Sequence, residues 1–454
     1  MKNIIKKIYS KTGIKSNRTK NITKHVVISF FYKGGSIISS LMIVPLTIKF
    51  LDTENYGIWL TLNSFIAWFS FFDIGLGNGL RNKFAEAKAK GDLTLAKAYV
   101  SSAYFTIGCA CLLLMIVFLG LNFFIDWTKI FNTSPQLQKE LALLMPIVFI
   151  FFCLQLLLKL ITTIYTADQH HSMQGKINFY TSIGSLMVVY ILINIAQSSL
   201  LLFGIIFSAI PVIILIWLNL FAFSGIYKPY KPSLILWKKK YLKDIFGLGM
   251  SFFIIQIAGI VLFSTDNIII TQIFGPEKVV PFNIAFKYLS ISNMVISIIL
   301  TPYWSSITEA YVNNDYDWIK KSMQNLSKIS LAAIFIIAVM VVFSPLVYKL
   351  WIGTSVNIPF SLTFYMGVFF ALTIFYAPYT YFINGTGKVK LQMYSILITA
   401  FINIPLSVFF AKNLGMGVKG VIIATIICLI PHVILCPLQY MKIINKNAHG
   451  IWNK

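Results

Sequence analysis

Six ionisable side chains sit inside runs that are otherwise apolar: Lys33, Asp73, Lys159, Asp266, Lys287 and His432. An ionised group within a hydrocarbon layer costs at least ~2.5–3.5 kcal/mol unless it faces protein or water, so each one marks either an ion pair or the wall of a pathway. Depth suggests two pairs. With a hairpin tip near Thr53, Lys33 and Asp73 lie level; with a second tip near Gly275-Pro276, Asp266 and Lys287 lie level. Purely structural pairing and pathway lining both remain open for these four. Lys159 has no evident partner at its depth and lies close enough to the end of its span to snorkel. Arg81 follows Gly75-x-Gly77-x-Gly79, where a guanidinium beside a glycine corner suits either a phosphate or a membrane anchor.

The elements that must position these groups are membrane helices. Hydrophobic residues make up 57% of the 454 and charged residues only 11%, against roughly 25% charged in soluble domains. Apolar runs of about 20 residues or more, without period-two alternation, exclude a β-barrel. Twelve spans are expected, at 26–51, 57–80, 98–125, 141–167, 177–197 and 199–226, then 245–274, 281–309, 328–350, 358–383, 391–411 and 417–440.

Two sixes follow from an internal repeat at an offset of 223. Glu86-Ala87 falls on Glu309-Ala310, Asp92 on Asp315, Glu54 on Glu277, and Phe50-Leu51-Asp52 on Ile273-Phe274-Gly275. The expected organisation is an N-terminal half, 1–226, a basic linker, 227–244, and a C-terminal half, 245–454, with a short interfacial helix at Leu234 to Trp237.

The net charge of +24 is carried between the spans, so it reads as topology rather than nucleic-acid binding. With the N-terminus inside, 28 Lys/Arg fall on the inner side and 7 on the outer, which predicts both termini in the cytoplasm. Residues 1–24 form a basic tail able to touch anionic lipid headgroups, and no cleavable signal is expected. The five cysteines read as small buried hydrophobes, and His170-His171 with Asp168 offer too few ligands for a metal. No nucleotide fold surrounds the glycines, and no catalytic constellation occurs, so neither cofactor, metal nor enzymatic chemistry is expected.

FFDIGLGNGLRNKFAEAKAKGD at Phe71 to Asp92, FLDTENYGIW before it, and GKINFY at Gly175 to Tyr180, echoed as GKVKLQMY at Gly387 to Tyr394, resemble the polysaccharide-biosynthesis flippases. These are the O-antigen transporter branch of the multidrug/oligosaccharidyl-lipid/polysaccharide (MOP) exporter superfamily. The resemblance implies an all-α, MATE-like fold of twelve transmembrane helices in two six-helix lobes around a central cavity. It implies flipping of an undecaprenyl-pyrophosphate-linked oligosaccharide across a bacterial inner membrane, in O-antigen or lipopolysaccharide biosynthesis, beside a polysaccharide polymerase and a chain-length regulator. On that basis Lys33, Arg81, Lys159 and Lys287 are the candidate cationic groups for the pyrophosphate. Asp73 and Asp266 are the candidates for ion coupling. A drug/cation antiporter of the same fold and a polymerase remain as alternatives. The first span offers Lys33 where the drug transporters tend to carry an acid, and no large outer loop with arginines exists for a polymerase.

Overall fold

The computed structural model describes residues 17–168, 170, 172–238, 240–242 and 250–454. Side chains are described from Phe31 on, apart from positions 70–76, 78, 82, 89, 172, 250–253, 256, 260, 262–263, 302, 305, 309 and 312. The described residues are helical with no strand. The helices are α1 (Asn17–Ala67), α2 (Phe71–Ala89), α3 (Leu93–Asn122), α4 (Trp127–Phe131), α5 (Gln138–Leu158), α6 (Leu160–Ala167), α7 (Ser172–Ile195) and α8 (Leu200–Ser224). After the linker come α9 (Met250–Phe274), α10 (Val279–Val312), α11 (Tyr316–Trp351), α12 (Phe360–Thr386), α13 (Lys390–Val408) and α14 (Val418–Ile444).

Eleven helices among the described residues are long and apolar enough to cross a membrane. The longest, Phe31–Ala67, is broken at Asp52, whose φ of 67° cannot continue a right-handed helix. Read as two segments, it supplies the expected first span and the start of the second. The second segment is capped by Asp52 itself, whose carboxylate accepts from the Asn55 amide at 2.9 Å. It then continues through a 3₁₀ turn, Trp68–Ser70, into α2.

The sequence places a corner at Gly75 to Gly79, and the structure moves it. Helix α2 runs unbroken through those glycines, and the break falls earlier, at Trp68–Ser70. A glycine costs a helix about 1 kcal/mol relative to alanine in water, which main-chain hydrogen bonding in an apolar surround readily offsets.

The repeat appears in the backbone. Asp52 and Gly275, 223 apart, both adopt positive φ and break the chain between consecutive helices. Gly91 and Asn314, again 223 apart, are both left-handed. The residue after each is an aspartate N-cap: Asp92 accepts from the Leu95 amide at 2.8 Å, Asp315 from the Trp318 amide at 3.1 Å. The same turn chemistry is thus used at the same place in each half.

Two compact units result. The first is drawn from Met1–Phe50, Phe72–Ile125 and Glu140–Gly249; the second from Leu51–Phe71, Asp126–Lys139 and Met250–Lys454. Within the first, Phe118 and Phe149 stack at 4.0 Å, and Asn219 accepts from the Tyr104 hydroxyl and donates to the Leu158 carbonyl. Helix α1 meets α7 where a Cβ on Gly35 would fall 2.4 Å from the Phe179 ring, and Ser36 and Ser182 hydrogen-bond there. The linker lies along this unit: Ser233 donates its amide to Ser101, Tyr230 packs edge-on to Phe84, and a 3₁₀ turn occupies Leu234–Leu236. Four of the five cysteines are buried as expected; Cys109 instead lies exposed on the apolar face of α3.

Within the second unit, α12 packs against α11 and α10 through glycines that leave no room for a side chain. A Cβ on Gly367 would fall 2.5 Å from Val341, and Thr308 donates to the Gly385 carbonyl.

Candidate functional site: buried polar seams on helix α9

Helix α9 carries polar residues on two faces, because neighbours in a helix diverge by about 100°. One face, Asn267 and Thr271, meets the second segment of α1. Asn267 donates to Ser64 at 2.8 Å and accepts from Asn283 of α10 at 2.8 Å, while the Thr271 and Thr61 hydroxyls lie 2.6 Å apart, fully buried. Gly57 permits that approach: a Cβ there would fall 1.9 Å from the Pro276 carbonyl oxygen. The segment 126–139 closes on the same end of α9. Asn132 donates to the Thr271 carbonyl at 3.1 Å, Gln272 donates to the Lys129 carbonyl at 2.7 Å, and Thr133 donates to Glu54 at 2.7 Å. These contacts are why Leu51–Phe71 and Asp126–Lys139 belong to the second unit rather than the first.

The other face carries Asp266, only 5% exposed. Depth predicts its pairing with Lys287, but among the described residues the two form no ion pair. Its carboxylate instead meets Thr425 of α14, which also accepts from Asn403 of α13 at 3.0 Å. Equal depth did not give equal facing: Asp266 turns toward α13 and α14, and Lys287 stays half-buried on α10 beside the exposed Phe286.

The remaining sequence candidates stand on separate elements. Lys33 is half-buried on α1, one residue from Tyr32, whose ring carries Lys176 above it at 5.9 Å. Arg81 is exposed on α2. Lys159 is exposed at the interruption between α5 and α6, where its carbonyl accepts from the Thr162 hydroxyl. The Asp73 side chain lies outside the described residues, as does His171, so the Lys33–Asp73 pairing is not described. His432 is buried, with Thr399 at 3.5 Å.

Two arrangements have no counterpart among the sequence candidates. Asp168 is no solvated loop acid: it pairs with Lys88 and accepts from the Tyr227 hydroxyl at 3.0 Å, tying the ends of α2, α6 and α8 together. Burial and the Asp168 carboxylate push the Tyr227 phenol upward, so it stays a donor. The second is a stripe on α13, Ser395, Thr399, Asn403 and Ser407, buried at every fourth position. A search for charges passes over it; a search for polar residues at helical spacing in an apolar run finds it.

The family description "Polysaccharide biosynthesis protein" matches residues 6–308. The chain belongs to that family. Among relatives of this family, a Yersinia pseudotuberculosis protein named for O-antigen export is 22% identical over 87% of this chain and 91% of its own length. A Salmonella typhimurium protein named for O-antigen transport is 22% identical over 94% and 98%. In fold this family member is similar to an inward-facing MATE multidrug transporter of the MOP superfamily, with TM-score 0.70 at 15% identity, covering 92% of this chain and 95% of that one. It is similar also to a Pyrococcus furiosus MOP superfamily transporter described as having a binding pocket of reversed polarity, with TM-score 0.68 at 16% identity over 96% and 98%. The chain thus has a MATE-like helical fold.

Proposed function

We propose that the protein flips an undecaprenyl-pyrophosphate-linked oligosaccharide from the cytoplasmic to the outer leaflet of a bacterial inner membrane by alternating access. The observation that carries this reading is near-full-length similarity to two proteins named for O-antigen export and transport, with a family match over most of the N-terminal two-thirds. Both termini lie in the cytoplasm in this reading, on the strength of the Lys/Arg distribution. The repeat halves, 1–226 and 245–454, act as the two lobes and rock about a cavity, while residues 227–244 join them.

The cations have roles in this scheme. Lys33, Arg81 and Lys159, toward the cytoplasmic end, receive the pyrophosphate, and Lys287 passes it outward. The polyprenyl tail stays in lipid. Half-exposed Lys33 and exposed Arg81 suit a charged headgroup better than a cationic drug, which would be repelled. The α9 seam through Thr61, Ser64, Asn267 and Thr271 is the closure that must part when the pathway opens outward.

Deleting the gene in its native bacterium tests the reading. Lipid-linked units should accumulate facing the cytoplasm, and surface polymer should vanish. If single units still reach the surface unpolymerised, the protein acts after translocation and the proposal fails. The MATE likeness keeps a drug/cation antiporter as the second reading, and deletion would then sensitise cells to toxic cations while leaving the polymer intact.

A further inference from the structure

Lysines and aromatic rings gather at one end of the second unit, where α10 ends, α11 begins, α12 turns into α13 and α14 stops. Lys388 lies 5.2 Å from the Tyr311 ring, Lys446 5.2 Å from the Tyr316 ring, and Lys442 4.9 Å from the Trp452 ring. The three pairs form one cluster. The Tyr311 and Tyr316 rings meet edge to face at 6.1 Å, and Lys388 also donates to Asn453, the neighbour of Trp452.

Buried hydrogen bonds hold the cluster in place. Gln439 of α14, only 1% exposed, donates to the Lys388 carbonyl at 2.9 Å and to the Trp452 carbonyl at 3.2 Å. The Lys390 amide donates to the Lys454 carbonyl at 3.1 Å. Together these bonds fold the 3₁₀ turn Gly450–Asn453 back against the start of α13 and the end of α14. Lys446 makes the reversal: at a φ of 58° it holds a left-handed conformation that glycine usually fills, and the Asn447 amide returns to the Lys442 carbonyl at 2.8 Å.

Depth and charge suit a membrane surface. Lys388 stands between the spans Phe360–Thr386 and Lys390–Asn413, while Lys442 and Lys446 stand at and just past the end of Val418–Ile444. With these helices spanning, all three ammonium groups lie at headgroup level on one side. Asp315 uses its carboxylate to accept from the Trp318 amide, and no carboxylate among the described residues forms an ion pair with any of the three lysines. Ile451 and Met441 are exposed beside them, so the cations have an apolar flank. Lysines, interfacial aromatics and exposed aliphatics together make an anchor for a headgroup and the upper part of its chains.

We propose that Lys388, Lys442 and Lys446, with Tyr311, Tyr316 and Trp452, form a binding site for the phosphodiester headgroup of an anionic phospholipid. The ligand is a phosphate because three positive charges gather here free of carboxylates, and basic pockets at the ends of membrane helices take such headgroups. It is a lipid because the rings and Ile451 continue the site toward the acyl region. Zwitterionic headgroups bring a positive charge of their own, which the lysines repel. On the Lys/Arg distribution this face is the cytoplasmic one, so the lipid comes from the inner leaflet. Bound there, it bridges the ends of α10, α11 and α14 and the 12–13 turn, and holds the 450–453 turn down on them.

The test needs no glycan cargo, so its failure is separable from failure of the flippase reading. Purified full-length protein in neutral detergent is titrated with phosphatidylglycerol, with phosphatidylethanolamine and with inorganic pyrophosphate, and bound molecules are counted by native mass spectrometry. Saturable binding of phosphatidylglycerol is expected, well ahead of phosphatidylethanolamine, and it should weaken as salt is raised to about 0.5 M. Each lysine near an anionic headgroup contributes a factor of about five, so Lys442→Gln/Lys446→Gln should weaken binding about 25-fold. Both side chains are exposed, which keeps the fold out of the result. Lys442→Arg/Lys446→Arg should restore binding, because arginine keeps both the charge and the ring contact. Lys349→Gln/Lys412→Gln, the same loss of charge from exposed positions at the far ends of α11 and α13, should leave binding unchanged. Equal affinity for the two lipids, or equal weakening by the far-end pair, overturns the proposal. Pyrophosphate binding that Lys442→Gln/Lys446→Gln abolishes while phosphatidylglycerol binding persists overturns it in favour of a free-phosphate site.

Discussion

Gly57→Ala tests whether the α9 seam is a close-packed, two-position contact. The added Cβ would sit 1.9 Å from the Pro276 carbonyl oxygen and 2.4 Å from its carbon, both backbone atoms. A carbon-to-oxygen contact needs more than 3 Å, so α1 and the 3₁₀ turn Pro276–Lys278 ahead of α10 must separate by over 1 Å at this level. No rotamer relieves the clash. Overpacking of this kind typically costs 1–3 kcal/mol. The displacement also stretches the Thr61–Thr271 and Ser64–Asn267 hydrogen bonds, each worth about 1 kcal/mol. A total of about 2–4 kcal/mol against the closed seam corresponds to a roughly 30- to 1,000-fold loss of its population relative to the open one. The assay is disulfide trapping of Thr61→Cys/Thr271→Cys, whose parent oxygens lie 2.6 Å apart, in a background with the exposed Cys109 changed to serine. Cross-linking should be rapid in the parent pair and slower by at least tenfold when Gly57→Ala is added. Equal trapping rates in the two would refute both the contact and the reasoning that makes it a gate.

Helix caps, one charged pair and tight glycines elsewhere in the chain carry further expected outcomes. Asp92→Ala and Asp315→Ala, the repeat-related N-caps, should each cost about 1 kcal/mol, close to one another and additive, read by chemical or thermal unfolding. Asp168→Asn breaks a charged pair to Lys88 that is a third exposed or less on the acid's side, and should cost about 1–2 kcal/mol, while Lys88→Ala adds little on top of it in a double-mutant cycle. Gly420→Ala places a Cβ 2.7 Å from backbone at Ala411 and should lower expression and melting temperature, as Gly91→Ala, with open space but a φ of 73°, does more mildly. Glu86 is held below the ordinary carboxylate range by hydrogen bonds from Lys90 and Lys83. That contribution is present above the unfolded value and is lost as pH falls through the lower folded one, but the group is fully exposed, so Glu86→Gln should leave the melting temperature unchanged between pH 7 and pH 5.

Much of the architecture was legible from hydropathy, because lipid admits only long, self-satisfied helices and their lengths are fixed by the bilayer. The repeat was legible at a handful of identities, Asp92 with Asp315 above all, because turn chemistry at a helix start tolerates few residue types. What hydropathy could not give was facing. Asp266 and Lys287 are level in the sequence yet turn to different neighbours, since a difference of one or two residues rotates a side chain by 100–200°. Nor could it show that Leu51–Phe71 packs with α9: that contact is made by Thr61, Ser64 and Gly57, residues too small and neutral to stand out in an apolar run. The glycines at 75–79 suggested a corner because glycine permits one, while the helix passes through them because in lipid the main-chain hydrogen bonds leave little alternative. Of the site candidates, the charges were found at once and the neutral partners of Asp266 were not. Serine, threonine and asparagine carry no cost large enough to announce themselves singly, only a spacing of four along α13.

The most direct measurement of the central claim is transbilayer movement in proteoliposomes that contain the purified chain and a fluorescent undecaprenyl-pyrophosphate oligosaccharide. A membrane-impermeant glycosidase added outside should cut lipid beyond the outer-leaflet share when the protein is present, and the excess should fall sharply in Lys33→Ala and Arg81→Ala. If cleavage stops at the outer-leaflet share with folded protein in the membrane, under an ion gradient as well as without one, the protein does not move this lipid and the account is wrong.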